Sequence, residues 1–184
     1  MGVKLGFSSW LATYVEATYP TAEGASGSGA ALGAFVTSTY FAAYVLAKFV
    51  NVRMSAVVRP HVALLSSTIL TGVAAALLLV THGAGTGVLF VGVVLMGIGT
   101  AIPFPATFSL PGQAGVTVKS HLVALLLGGE YAGEVIVPVV MGEAIEASGW
   151  ASLMVTTTAI TVLSVATASV IAWSIFTDRG LAAA

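Results

Sequence analysis

Cysteine is absent from the 184-residue sequence, so neither a disulfide framework nor a thiolate metal site can form, and the redox compartment leaves no mark on the chain. Charge is almost as scarce. Only 7% of the residues are Asp, Glu, Lys or Arg, where a soluble globular domain carries roughly 25%. A water-facing surface cannot be built from so few charges. No Asp, Glu, Lys or Arg occurs at positions 60–118, and none at 147–177. The net charge of −1 and the lack of any Lys/Arg cluster exclude nucleic acid as a partner, because phosphate contacts need basic groups. The start of the chain runs directly into apolar sequence without a small-residue cleavage pattern, which reads as a membrane span and not as a signal peptide. Gly2 does not make a myristoylation site, since position 6 is Gly where that motif requires Ser or Thr.

Apolar residues make up 58% of the chain. The charge-free runs far exceed the roughly 20 residues that a helix needs to cross about 30 Å of hydrocarbon. The expected fold is therefore all-α and polytopic, a single domain over 1–184 with six transmembrane helices at about 4–20, 28–50, 60–81, 86–110, 119–147 and 150–177. Turn chemistry at 20–28, two arginines and a helix-starting proline at 51–60, glycines at 81–87, a polar stretch at 111–120 and Ser148-Gly149-Trp150 supply the connections. Lys4, Lys48, Arg53, Arg59, Lys119 and Arg179 all fall on one side of such a six-span chain. Retained loops collect Lys and Arg, so both termini are expected in the cytoplasm of a multi-pass protein, with the plasma membrane as the first expectation for its location.

Intramembrane polar residues mark candidate sites, because a charge at mid-bilayer costs about 2.5–3.5 kcal/mol on insertion scales and persists only against protein or water. Glu130 and Glu134 lie about 15–22 Å into the fifth span and share one helix face. One reading is a coupling site for H⁺ or Na⁺, or an acceptor for a hydroxylated solute; the other is a structural carboxylate bonded to a neighbouring helix. Glu143 and Glu146 read as a wetted helix end. Trp10, Tyr14 and Glu16 combine aromatic and acidic groups suited to a sugar-like solute, against the alternative of an interfacial belt around Tyr19. Thr37, Tyr40, Phe41 and Tyr44 form a stripe on the second span that fits packing or a pocket. Pro103 and Pro105 break the inner half of the fourth span, and Pro138 interrupts the fifth, as plain kinks or as gating points. Gly29/Gly33 and Gly129/Gly133 are GxxxG pairs, which mark close helix contacts or room for a solute. His61, His82 and His121 are split across the membrane and make no metal site, and no nucleophile elbow, phosphate loop or HExxH supports an enzyme.

Gly6-Phe7-Ser8-Ser9-Trp10-Leu11-Ala12-Thr13-Tyr14, then Thr37-Ser38-Thr39-Tyr40 leading to Lys48, Arg53 and Ser55, and above all Gly128-Gly129-Glu130-Tyr131-Ala132-Gly133-Glu134-Val135-Ile136-Val137-Pro138 followed by Gly142, form a pattern covering nearly the whole chain. It resembles the C-terminal six-helix half of a major facilitator superfamily transporter, in the fucose permease-like and sodium-dependent glucose transporter-like branch. The resemblance implies secondary active transport of a small polar solute, with a sugar as first candidate. It implies a substrate cavity at mid-membrane between two six-helix halves, for which the candidate residues are Trp10, Tyr14, Glu16, Thr37, Tyr40, Glu130 and Tyr131 for the solute, Glu134 and Glu130 for the coupling ion, and Pro103, Pro105 and Pro138 for gating. Full carriers of that kind have about twelve spans, so the chain is expected to be a half or fragment of one, or to pair with a second six-helix half or a second copy of itself. The alternative is a non-transporting membrane module that pairs with or regulates another transporter. Expected partners are thus the solute, the coupling ion and the lipid bilayer.

Overall fold

The computed structural model describes residues 2–19, 28–82, 85–113, 115, 117 and 119–182, with backbone alone at 28 and from 175 onward. Every regular element among them is an α-helix: α1 (Gly2–Thr18), α2 (Ser28–Met54), α3 (Pro60–Val80), α4 (Thr86–Ala101), α5 (Pro103–Gln113), α6 (Ser120–Ser148) and α7 (Ala151–Ala182). The turn expected at 20–28 lies, up to position 27, outside the described residues, as do 83–84 of the third connection and 114, 116 and 118 of the fourth.

The helices form where apolar sequence runs unbroken, and they stop where backbone chemistry stops them. Pro60 starts α3 at a position whose N–H would be unsatisfied anyway, with Arg59 extended as its N-cap. Gly149 takes φ 79° and ψ 179° to close the two-residue turn between α6 and α7, a conformation that costs a side-chain-bearing residue strain. The expected fourth span is two helices. Pro103 cannot donate to the Gly99 carbonyl nor Pro105 to that of Ala101, so the chain breaks at Ile102 and restarts as α5. Pro111, expected in the following loop, lies inside the last turn of α5.

Taking α4 and α5 as one span, five helical stretches among the described residues are long and apolar enough to cross a membrane. At 17 residues α1 meets the lower end of the crossing range. Phe35, Leu46, Phe49 and Leu125 point out of the bundle and are at least 65% exposed. Water would not tolerate such an apolar exterior on a monomer, whereas lipid is its natural solvent.

The helices close a ring in the order α1, α2, α4, α3, α7, α6, with α1 also touching α7 and α4. Close backbone approach sets the register. A Cβ on Gly33 would stand 2.6 Å from the Ala12 carbonyl oxygen, and one on Gly97 would stand 2.7 Å from that of Tyr40. Gly6 abuts Met141 and Val137 of α6, and Gly2 faces Gly133. The start of α1 is therefore level with the middle of α6, and the two helices run parallel. Phe7, Leu11, Tyr14, Tyr40, Met96 and Met141 fill the centre of the bundle.

Candidate functional site

The register between α1 and α6 brings Lys4 to Glu134. The Lys4 Nζ stands 3.0 Å from a Glu134 oxygen, and the two side chains are only 21% and 19% exposed. Lys4, taken from the sequence as an N-terminal charge that reports orientation, instead lies inside the bundle as the partner of a carboxylate midway along α6. A close opposite charge offsets part of the cost of holding either ion away from water. Arg53 in the last turn of α2, Arg59 before α3 and Lys119 before α6 remain together at one end of the bundle.

Around the pair, the Lys4 and Lys48 ammonium groups lie 5.8 and 4.6 Å from the centroid of the Tyr44 ring, a cation–π arrangement. Tyr40 stacks on Tyr44 at 6.4 Å, packs on Phe7 at 5.8 Å and shares a 3.0 Å hydrogen bond between its hydroxyl and that of Thr100. Next to Lys4 is a cavity of about 70 Å³ lined by Val3, Thr68, Thr71, Thr100, Pro103, Thr161 and Ser164. The hydroxyls of Thr68, Thr71, Thr100, Thr161 and Ser164 each donate to a carbonyl of the preceding turn of their own helix. With their protons so engaged, their oxygen lone pairs remain available as acceptors. Lys4 thus faces two sets of acceptors, the Glu134 carboxylate on one side and a hydroxyl-lined cavity on the other.

The remaining candidates distribute unevenly. Glu130, one turn before Glu134, is half-buried and lines a separate cleft of about 240 Å³ between α5 and α6 with Pro103, Phe104, Thr107 and Phe108. Trp10, Tyr14 and Glu16 do not converge. The Trp10 indole donates to the Pro138 carbonyl at 3.0 Å and covers Gly142, while Tyr14 is buried and shares a 2.6 Å hydrogen bond with His82 Nδ1 at the α3–α4 turn. Glu16 is exposed against the start of α2. Successive helical residues turn by about 100°, which sends positions 14 and 16 to opposite faces. Thr37 spends its hydroxyl proton on the Gly33 carbonyl at 2.8 Å. Tyr131 is 62% exposed and points away from the bundle. Pro103 borders both cavities, Pro105 follows within the first turn of α5, and Pro138 leaves the Glu134 carbonyl without its helical donor. Of the expected GxxxG pairs, Gly29 and Gly33 pack on α1 and Gly133 on Gly2, but nothing lies within 4 Å of a Cβ on Gly129. Among the described residues no group of three His, Asp or Glu could hold a metal ion.

Sequence reasoning missed Lys4 and the hydroxyl lining. A signal existed for the latter: Thr68 and Thr71, and Thr157, Thr161 and Ser164, recur at helical spacing through otherwise apolar spans. Comparison of the chain with known protein families, with curated proteins and with solved structures finds no match.

Proposed function

We propose that this chain is a transport module of the membrane, half or part of a major facilitator-type secondary transporter, which moves a small polar solute coupled to H⁺ or Na⁺. The observation that carries the reading is the Lys4–Glu134 pair, midway along α6 and beside a hydroxyl-lined cavity. Intramembrane ions are costly and mark ion or solute pathways.

The order of packing supports it. If the spans are divided three and three, α1 packs on α6 as α4 packs on α2, and α1 touches α7 as α4 touches α3, while α3 and α7 pack on each other; the α1–α2 and α6–α7 contacts have no comparable counterpart. Three spans per repeat reverse the direction of the chain, so the exchange relates inverted halves, an arrangement used by transporters that rock about a central site. The broken span α4–α5 at the cavity adds to the case, since discontinuous helices near mid-membrane line such sites.

In this mechanism a proton or Na⁺ arriving at Glu134 competes with Lys4. The released ammonium finds acceptors in the hydroxyls of Thr68, Thr71, Thr161 and Ser164, and the tie between α1 and α6 loosens. Rebinding of Lys4 expels the coupling ion. The basic residues gathered at one end of the bundle favour that end as cytoplasmic. A second six-helix unit, or a second copy, fits the long α6, of which only Met141 is buried.

Uptake into proteoliposomes tests the proposal. Saturable solute flux driven by a proton or sodium gradient is expected, with Glu134→Gln abolishing the ion dependence while expression is retained. A non-transporting module would show no saturable flux under any gradient.

A further inference from the structure

The cleft between α5 and α6 carries a chemistry of one sign. Phe104, Thr107 and Phe108 share one face of α5 by their i, i+3, i+4 spacing, and Leu126, Gly129 and Glu130 share the corresponding face of α6. The two faces meet across about 240 Å³ of open space, and nothing lies within 4 Å of a Cβ on Gly129. A three-and-three division of the spans sets this interface against that of α1 and α2, which instead close tightly where Gly33 meets the Ala12 backbone. Matched helix faces that do not close on each other leave room for a guest.

Every polar or π group bordering that room presents electron density. Thr107 donates its hydroxyl proton to the Pro103 carbonyl at 2.8 Å and so offers only lone pairs. Phe104 and Phe108, with centroids 4.7 Å apart and planes at 56°, offer ring faces and an edge. Among the described residues Glu134 has its salt bridge with Lys4, whereas Glu130 has none. Among the described residues lining the cleft no side chain has a free donor, and the Lys4 and Lys48 ammonium groups act on Glu130 only from outside it. A sugar needs donors as well as acceptors around it, and an anion needs donors alone. A cation with an apolar shell matches a carboxylate, a hydroxyl acceptor and two aromatic rings.

We infer that the α5–α6 cleft binds a quaternary or substituted ammonium cation through Glu130, Phe104 and Phe108. The inference rests on the transport reading only in naming the solute class. Binding at this cleft is a separate property that can be measured without flux. The same chemistry is available from a free solute such as choline or from the headgroup of phosphatidylcholine.

The full chain reconstituted in nanodiscs of phosphatidylglycerol, which has no choline headgroup, is titrated with radiolabelled choline and with its uncharged carbon isostere, 3,3-dimethylbutan-1-ol. Saturable choline binding and no competition by the isostere are expected. Glu130→Gln and Phe104→Ala should each weaken binding about tenfold or more, Glu130→Asp should recover part of it, and Val155→Ala on the outer face of α7 should leave it unchanged. Phe108→Leu, which keeps volume and loses the ring, guards against a folding defect in the alanine variant. In phosphatidylcholine nanodiscs, loss of choline binding identifies the lipid headgroup as the occupant, and retained binding identifies the free solute. Equal binding of the isostere, or an unchanged Glu130→Gln variant, overturns the inference. Choline bound without uptake would remove the transport proposal alone, and gradient-driven uptake of another solute with no choline binding would remove this inference alone.

Discussion

The indole of Trp10 donates to the carbonyl of Pro138 across 3.0 Å, and its ring lies over Gly142, so the turn of α6 that follows the proline is held by a side chain of α1. Hydrogen bonds between membrane helices average about 0.6 kcal/mol, and losing a large buried aromatic side chain costs about 3 kcal/mol or more. Trp10→Phe is expected to lower stability modestly and Trp10→Ala several times more. Reversible unfolding in mixed micelles measures both, and equal losses would show that the hydrogen bond contributes nothing beyond packing.

The glycines separate into two classes with opposite outcomes. On Gly97 a Cβ would press on the Tyr40 carbonyl and the Ala43 methyl, whereas on Gly128 it would meet nothing within 4 Å. Gly97→Ala is expected to push α4 from α2 and cost about 1–3 kcal/mol. Gly128→Ala should be neutral, or should stabilise the helix by up to about 1 kcal/mol through propensity. Thermal denaturation of the two variants side by side checks the contrast.

Local chemistry was legible in the sequence, and helix register was not. Apolar run length fixed where α2, α3, α6 and α7 lie to within a few residues, and Pro103 marked the break in the fourth span because a missing N–H acts on its own helix. The common face of Glu130 and Glu134 likewise follows from spacing alone. The partner of Glu134 does not. Lys4 reaches it because Gly2 and Gly6 let α1 lie against α6 at one particular height, and such a register is decided by surface fit between segments more than a hundred residues apart. Trp10, Tyr14 and Glu16 were grouped by nearness in sequence, although helical rotation separates their directions, and Tyr131 follows Glu130 in the chain but turns outward for the same reason.

Tyr40 and Thr100 are coupled through their hydroxyls in the closed centre of the bundle, and the Thr100 hydroxyl also donates to the Met96 carbonyl at 2.9 Å. Tyr40 is therefore the donor between them. Tyr40→Phe is expected to cost about 0.6 kcal/mol, Thr100→Val about the same, and the double variant less than the sum. A double-mutant cycle by unfolding gives the coupling, and strict additivity would show that the two hydroxyls act independently.

Pro103→Ala restores an N–H where the fourth span breaks, so the Gly99 carbonyl regains its helical donor, while Pro105 still leaves the Ala101 carbonyl without one. The variant is expected to be more thermostable than the parent. If the break is a hinge for rocking, turnover in proteoliposomes should fall while the solute concentration at half-maximal flux changes little. A stabilised variant with unchanged turnover would leave the break as a packing feature without a part in motion.

Lys4 and Glu134 together permit the most discriminating test, because the cost of removing one partner differs in kind from the cost of removing both. Lys4→Met leaves a carboxylate with about a fifth of its side chain exposed and no salt-bridge partner among the described residues, and Glu134→Gln leaves the ammonium in the same position. Breaking a largely buried pair costs about 3–5 kcal/mol, whereas replacing both members by uncharged groups of similar volume is often nearly neutral. Each single variant is thus expected to unfold at markedly lower denaturant, and Lys4→Met/Glu134→Gln to recover most of the loss. Ion-coupled uptake should follow another order: the double variant, though stable, should have lost its dependence on the ion gradient. A double variant both stable and still ion-dependent would mean that the pair only fastens α1 to α6, and coupling would then have to reside elsewhere, with Glu130 the next carboxylate to test.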